Sequence, residues 1–356
     1  MRTLVRFFAF VGLLLALVVS ARAAVTAKYR AYGENVLHVY NWGDYIDPAL
    51  LERFQEETGI RVVYETFDSN EEMLAKLRQG GTSYDVAVPS DYAIQRLIRE
   101  GLLLPLDHDR LPNLRYIDPR FLDLPFDPGN RYSVPYFWGT LGIAYRPDRV
   151  PFEIRSWRDL WSLDLRGQVL LVDGPREVVG IGLQTLGYSL NDADPAHLEE
   201  AKALLDTLVP NVKAIVGDEI RVLLAQDEAS VGVIWSGDAK SVLEHNPSFE
   251  YVIPEEGSNI WFDNFVIPKT ARNVEGAYKF INFFLDPEVA AQNAEYVGYA
   301  TPNREAFALL PEEVTSDERF YPPEEVLRRL EVYLDLGRDA VARYNELFLE
   351  FKMHRK

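Results

Sequence analysis

The chain has 356 residues, a formal net charge of −18 and no cysteine. Such acidity excludes the usual nucleic-acid partner, whose phosphates it would repel. The missing thiols exclude disulfides, thiolate metal sites and a lipid-modified N-terminal cysteine.

The length exceeds one ordinary core, so two lobes are expected. Met1 to about Ala23 reads as a secretory signal: Arg2 and Arg6 give the positive start, Phe7–Val19 the apolar run and Ala21-Arg22-Ala23 the cleavage site. The apolar run is short for a membrane span and no second one follows. An uncleaved anchor is the alternative. Cleavage near Ala23 removes arginines and no acids, leaving a still more acidic chain, and an exported, unlipidated protein fits a periplasm.

Val36–Tyr40 predicts a strand. Asp47 caps a helix with Pro48 in its first turn, and Gly59 ends it. Ile60–Tyr64 is a second strand; Ser69-Asn70-Glu71-Glu72 offers a capping box for a helix ending at Gly80-Gly81. Tyr84–Val88 is a third strand, and Asp91 opens a helix that ends near Gly101. This βαβαβ order predicts a parallel sheet with right-handed crossovers. Ligands bind beyond the carboxyl ends of such strands. Asn41-Trp42-Gly43-Asp44-Tyr45 and Pro89-Ser90-Asp91-Tyr92 both lie at that edge.

Leu104–Pro135 is turn-rich and separates two regions. A second alternation follows: strand 168–172, helix 176–186, helix 195–208 capped by Asp194, strand 212–216, helix 220–225 and strand 229–234. Phe265–Ile267 is a further strand, followed by helices over 272–285 and 287–296 and a helical C-terminus.

Three pairings of a tryptophan with a following aspartate stand out: Trp42-Gly43-Asp44, Trp235-Ser236-Gly237-Asp238 and Trp261-Phe262-Asp263. A carboxylate supplies charge, and an indole supplies an apolar wall whose face favours cations. Repeated in distant segments, the pairing suggests one pocket for an organic cation. Taken singly, Asp44 also reads as a turn residue, Asp238 as a helix N-terminal acid and Asp263 as a solvated strand flank. Trp157 and Trp161, at i and i+4, read as core, and Trp138 as packing near the lobe junction. The five histidines lack ligand-like spacing, and neither a nucleophile elbow nor a phosphate-binding loop is present.

Asn41–Ile46, Phe67–Glu71, Val88–Tyr92, Tyr132–Trp138, Ser156–Trp161, Asp173–Val178, Trp235-x-x-Asp238, Trp261–Asp263 and Gly298–Asn303 together resemble the spermidine- and putrescine-binding proteins of bacterial polyamine ABC transporters. The resemblance runs in order through the whole mature chain. It implies a type II periplasmic binding protein of two α/β lobes with a ligand cleft between them. It places lobe 1 at 32–138 plus 265–302 and lobe 2 at 139–264 plus 303–356. The implied site is Trp42, Asp44, Tyr45, Ser90, Tyr92, Glu177, Trp235, Asp238, Trp261, Asp263 and Tyr299. No cofactor or metal is implied; the partners are a polyamine and an inner-membrane permease complex, and the protein is expected to be a monomer. Relatives of the spermidine type have an aspartate where this chain has Gly174, and Asp238 matches an acid of putrescine-type members. Both point toward putrescine. Gly43 replaces a hydroxyl residue of the relatives.

Alternatives remain at this level: another organic cation, a sensing rather than a transport role, or a secreted hydrolase using two of the carboxylates as acid and base.

Overall fold

The computed structural model describes residues 35–81, 83–217 and 219–354. The expected signal at 1–23 and the start of the expected first lobe at 32–34 lie outside the described residues.

The first strand, β1 (Val36–Trp42), runs on into helix α1 (Pro48–Thr58). The Asp47 carboxylate accepts the Ala49 N–H at 2.9 Å, and Gly59, at φ 67°, ends the helix in the left-handed region that glycine tolerates. Strand β2 (Arg61–Phe67) and helix α2 (Asn70–Gln79) follow. Ser69 caps α2 through the Glu72 N–H, but the Glu72 carboxylate reaches back to the Asp68 N–H instead of Ser69, so the capping box is only half formed.

Strand β3 is reduced to Val86–Ala87, shorter than the run 84–88 predicts. The flanking Asp85 uses its carboxylate on the N–H groups of His38, Arg272 and Asn273. Helix α3 (Asp91–Arg99) completes the unit. Strands β2, β1 and β3 pair in parallel, in that order, as the alternation requires.

The next strand, β4 (Ser133–Tyr145), is absent from the sequence reading. All thirteen residues are buried, so no polar alternation marks it, and it carries Pro135, Gly139 and Gly142. Register shifts between Pro135 and Phe137, where the proline lacks an N–H to donate.

The second alternation comprises β5 (Val169–Val172), α4 (Pro175–Thr185), α5 (Pro195–Leu208), β6 (Val212–Val216), α6 (Ile220–Ala225), β7 (Val231–Trp235), α7 (Ser236–His245) and β8 (Glu250–Val252). Strand β9 (Ile260–Val266) begins well before the predicted 265–267. It too is buried throughout, which hides it from a period-two test. Helices α8 (Val274–Phe284), α9 (Pro287–Val297), α10 (Arg304–Leu309), α11 (Glu312–Thr315), α12 (Glu324–Leu327) and α13 (Arg338–Met353) end the chain.

One sheet joins both halves, in the order β2-β1-β3-β9-β4-β7-β5-β6, with β8 also on β4. Residues 133–140 of β4 pair with β9, whereas 141–145 pair with β7. β4 therefore starts in one lobe's sheet and ends in the other's. Cores around Leu37, Phe54 and Phe280 and around Tyr40, Leu74 and Leu97 cover the first half; cores around Trp157, Val169 and Val233 and around Leu170, Leu224 and Val242 cover the second. Ala306 and Leu310 pack in the Leu37 core. Trp157 is fully buried, its N–H donating to the Gly257 carbonyl at 2.9 Å, and Trp138 donates to the Thr301 carbonyl at 3.2 Å.

Candidate functional site

Asp263 lies inside β9, 5 % exposed, not on a solvated flank. The Ser90 hydroxyl donates to its Oδ1 at 2.6 Å and the Tyr45 hydroxyl to its Oδ2 at 2.7 Å. Asn70 fixes Ser90 in turn: its Oδ1 accepts the Ser90 N–H at 3.1 Å and its Nδ2 donates to the Ser90 Oγ at 3.0 Å. Ser90 stands at the N-terminus of α3 without capping it, because its hydroxyl is committed to Asp263. Burial pushes the Asp263 carboxyl up to about 6, against the pull of the two hydroxyls. Among the described residues, no basic side chain forms an ion pair with it.

Aromatic rings continue outward from this acid. Tyr45 meets Tyr299 edge-on at 5.8 Å, Tyr299 meets Trp261 at 5.0 Å and Trp261 meets Trp235 at 6.3 Å. Gly139 makes room for Trp261: a Cβ there would strike the indole and the Ser236 hydroxyl. Gly237 likewise carries the Tyr299 ring directly on its backbone. These glycines let β4 and the start of α7 approach the rings closely. The indole N–H of Trp261 is buried with no acceptor.

A second group centres on Glu177, in the first turn of α4. Burial pushes its carboxyl up to about 7; Arg176 opposes the shift and Glu71 adds to it. Its carboxylate folds back over Gly174, filling the space a side chain there would take. Tyr92 faces this group, with its hydroxyl donating to Glu71 at 3.2 Å and its own pKa raised well above 10 by burial and by the charges of Glu71 and Glu177.

The remaining expected residues are held by other partners. The Trp42 indole N–H donates to the Val88 carbonyl at 2.9 Å, and its ring lies 4.5 Å from Phe67. Asp44 is exposed on the turn after β1, at φ 51°. Asp238, in the first turn of α7, lies 3.8 Å from Arg221, so part of its charge is already met within the protein.

Sequence reasoning passed over three neighbours. Asp91, fully buried, accepts the N–H groups of Tyr92 and Phe262 and its pKa is raised well above the usual range by burial; it reads in sequence only as a helix opener. Glu71 reads as a capping residue. Tyr333, whose buried hydroxyl has no hydrogen-bond partner, sits in range of Glu177 and Asp91; it belongs to the stretch between α12 and α13, which is not helical although the C-terminus is expected to be.

A buried carboxylate held only by neutral donors and walled by rings can neutralise a cation and shed water from its apolar part. Among the described residues, no histidine hydrogen-bonds to Asp263; its partners are the Ser90 and Tyr45 hydroxyls.

Residues 49–322 match the model of the bacterial extracellular solute-binding protein family. The chain is 41 % identical over 341 residues to the spermidine/putrescine-binding periplasmic protein of Escherichia coli K12, covering 95 % of this chain and 98 % of that one. It is 37 % identical over 339 residues to a putrescine-binding periplasmic protein of Pseudomonas aeruginosa, covering 90 % of this chain and 92 % of that one. Its structure resembles that of a spermidine/putrescine ABC transporter substrate-binding protein from Streptococcus pneumoniae with a TM-score of 0.84 at 53 % identity, covering 91 % of this chain and all of the other. The two-lobed α/β architecture, the family match and these relatives agree: the chain is a bacterial extracellular solute-binding protein.

Proposed function

We propose that this protein captures a polyamine, putrescine or spermidine, between its two lobes and presents it to an ABC permease in the inner membrane. The observation that carries the reading is Asp263: a buried carboxylate that no basic residue pairs with among the described residues, ringed by Tyr45, Tyr299 and Trp261. A ligand ammonium supplies the missing positive charge, and the rings cover its methylenes at low entropic cost. Glu177 and Glu71 offer a second anionic end beside Tyr92. Trp42, Ser90, Trp235 and Asp238 complete the lining, with Asp44 at its exposed rim. The names of the relatives support the ligand class and the transport role.

The lobes are drawn at 32–138 with 265–302 and at 139–264 with 303–356, except that 303–310 goes to the first because Ala306 and Leu310 lie in its core. A guest that bridges the lobes favours the closed form by its differential affinity. Gly174 removes one possible acid, which favours the shorter diamine. A diamine of about six heavy atoms is limited to roughly −9 kcal/mol, or sub-micromolar binding. The reading is capture without catalysis, in a periplasm, by a monomer. Among the described residues no helix is long and apolar enough to cross a membrane.

Titration calorimetry with putrescine, spermidine, cadaverine and a neutral diol tests the ligand class. Heat from the amines and none from the diol is expected. Silence from every amine overturns the reading, and turnover of any of them would make the protein an enzyme.

A further inference from the structure

Beside Asp263 lies a second acid, Asp91, which no part of the proposed site uses and which is fully buried. Its two oxygens accept backbone N–H groups from two different elements: Tyr92 of α3 on Oδ1 at 2.7 Å and Phe262 of β9 on Oδ2 at 3.3 Å. Burial and the nearby Asp263 charge both disfavour an ionised carboxyl there, and the two N–H bonds offset them.

The strand register explains why the carboxylate is needed. Ala87 pairs with Val266 and Ser90 with Asp263, in one antiparallel register along the same edge of β9. The Asn264 N–H donates to the Pro89 carbonyl at 3.0 Å. In that register the next bond runs from the Phe262 N–H to the Asp91 carbonyl. But α3 starts at Asp91 and takes that carbonyl into the helix. The Asp91 side chain accepts the Phe262 N–H in its place. Asp263 therefore sits between two fixed neighbours, Phe262 held by Asp91 and Asn264 held by Pro89, directly opposite Ser90.

The other oxygen serves the helix. The first N–H groups of a helix have no partner within it, and a serine just before the first turn ordinarily takes one. Ser90 occupies that place, but its hydroxyl is committed to Asp263 at 2.6 Å. Asp91 accepts the Tyr92 N–H instead, which leaves Ser90 to the site. Aspartate suits the double task because it has two acceptor oxygens on a short stem; asparagine has one.

We propose that Asp91 is a positioning residue for the site: it ties β9 to the start of α3 so that Ser90 and Asp263 stand face to face, and it acts on a guest only through them. The proposal rests on the reading of Asp263 as the group that meets the ligand ammonium.

Asp85 provides the control. It is equally buried and accepts the N–H groups of His38, Arg272 and Asn273 at the opposite end of β3. In calorimetry well below every Tm, Asp91→Asn is expected to weaken putrescine binding about tenfold. In a Ser90→Ala background the same substitution should cost less than about threefold, because the contact it acts through is gone. Asp85→Asn should lower the Tm yet leave affinity within about twofold. Asp91→Ser, which keeps a polar side chain at the helix start but is too short to reach Phe262, carries the same expectation if the asparagine variant does not fold. In the ligand-free protein, hydrogen exchange at the Phe262 amide should accelerate about tenfold in either Asp91 variant. Unchanged affinity in these variants, a loss undiminished without the Ser90 hydroxyl, an equal loss in Asp85→Asn, or unchanged exchange at Phe262 overturns the proposal. A wild-type protein that binds no polyamine would instead sink the proposed function, and the amide exchange would still decide whether Asp91 holds β9.

Discussion

Asp263 and Glu177 are both buried acids beside aromatic rings, but the chain holds them differently. Asp263 projects from β9, which lies between β3 and residues 133–140 of β4, and two hydroxyl groups aim at its two oxygens. Glu177 sits on a helix terminus, among Arg176, Glu71 and Tyr92, with its carboxylate folded over a glycine. The first end is pre-organised, which keeps the ordering cost of binding low. The second is adjustable, because a swing of one side chain changes where its charge lies. Under the proposed function, the comparison assigns recognition of charge to the Asp263 end and recognition of ligand length to the Glu177 end.

The sharpest way to break this division is Asp263→Asn. It keeps the shape and removes the charge, so amine affinity should fall about 100-fold or more by calorimetry. A loss below tenfold would deny Asp263 its role as anchor.

The next largest effect is on pH. Both acids have native pKa values above their ordinary ones, about 6 against 3.8 for Asp263 and about 7 against 4.5 for Glu177. Each therefore contributes stability that is fully present below its unfolded pKa and is lost as pH rises through the native value. The ligand-free Tm should fall between pH 5 and 8, and Asp263→Asn/Glu177→Gln should flatten that slope. A dication prefers the ionised acids, so affinity should run the other way, rising by up to about tenfold per pH unit for each carboxylate over the same window. Affinity that is flat across it would mean that neither acid meets the ligand.

Gly174→Asp sharpens the comparison from the other end. The new side chain would occupy the space that the Glu177 carboxylate fills and so force it to swing. The spermidine-to-putrescine affinity ratio should rise about threefold to tenfold in competition calorimetry. A change confined to overall affinity would place length recognition elsewhere. Smallest of all is Asp44→Asn: the residue is exposed on its turn, and a loss of less than about threefold is expected from the same titration.

Much of the first lobe was legible because its signals are local. Asp47 with Pro48, Gly59, and Ser90 after a buried strand each act within a few residues. The ends of those strands placed Tyr45 and Ser90 correctly at one edge. What stayed hidden is fixed by distant partners. β4 and β9 are buried on both faces and so carry no alternation, and their glycines answer to Trp261 rather than to a turn. Asp238 shows the same limit: its spacing from Trp235 suits a pocket, but only the fold reveals Arg221 within 3.8 Å. Tyr333 comes within electrostatic range of Glu177 from a non-helical stretch in a C-terminus expected to be helical.

Because β4 is woven into both sheets, and because β3 finds its second neighbour only in β9, the order of synthesis matters. A nascent chain that has reached Glu250 holds β1, β2 and β3, yet the strand that borders β3 has still to emerge. Such long-range closure is intrinsically slow. The sheet of the first half thus cannot close until Val266 has been made, which under the proposed periplasmic location delays folding of a chain bound for export.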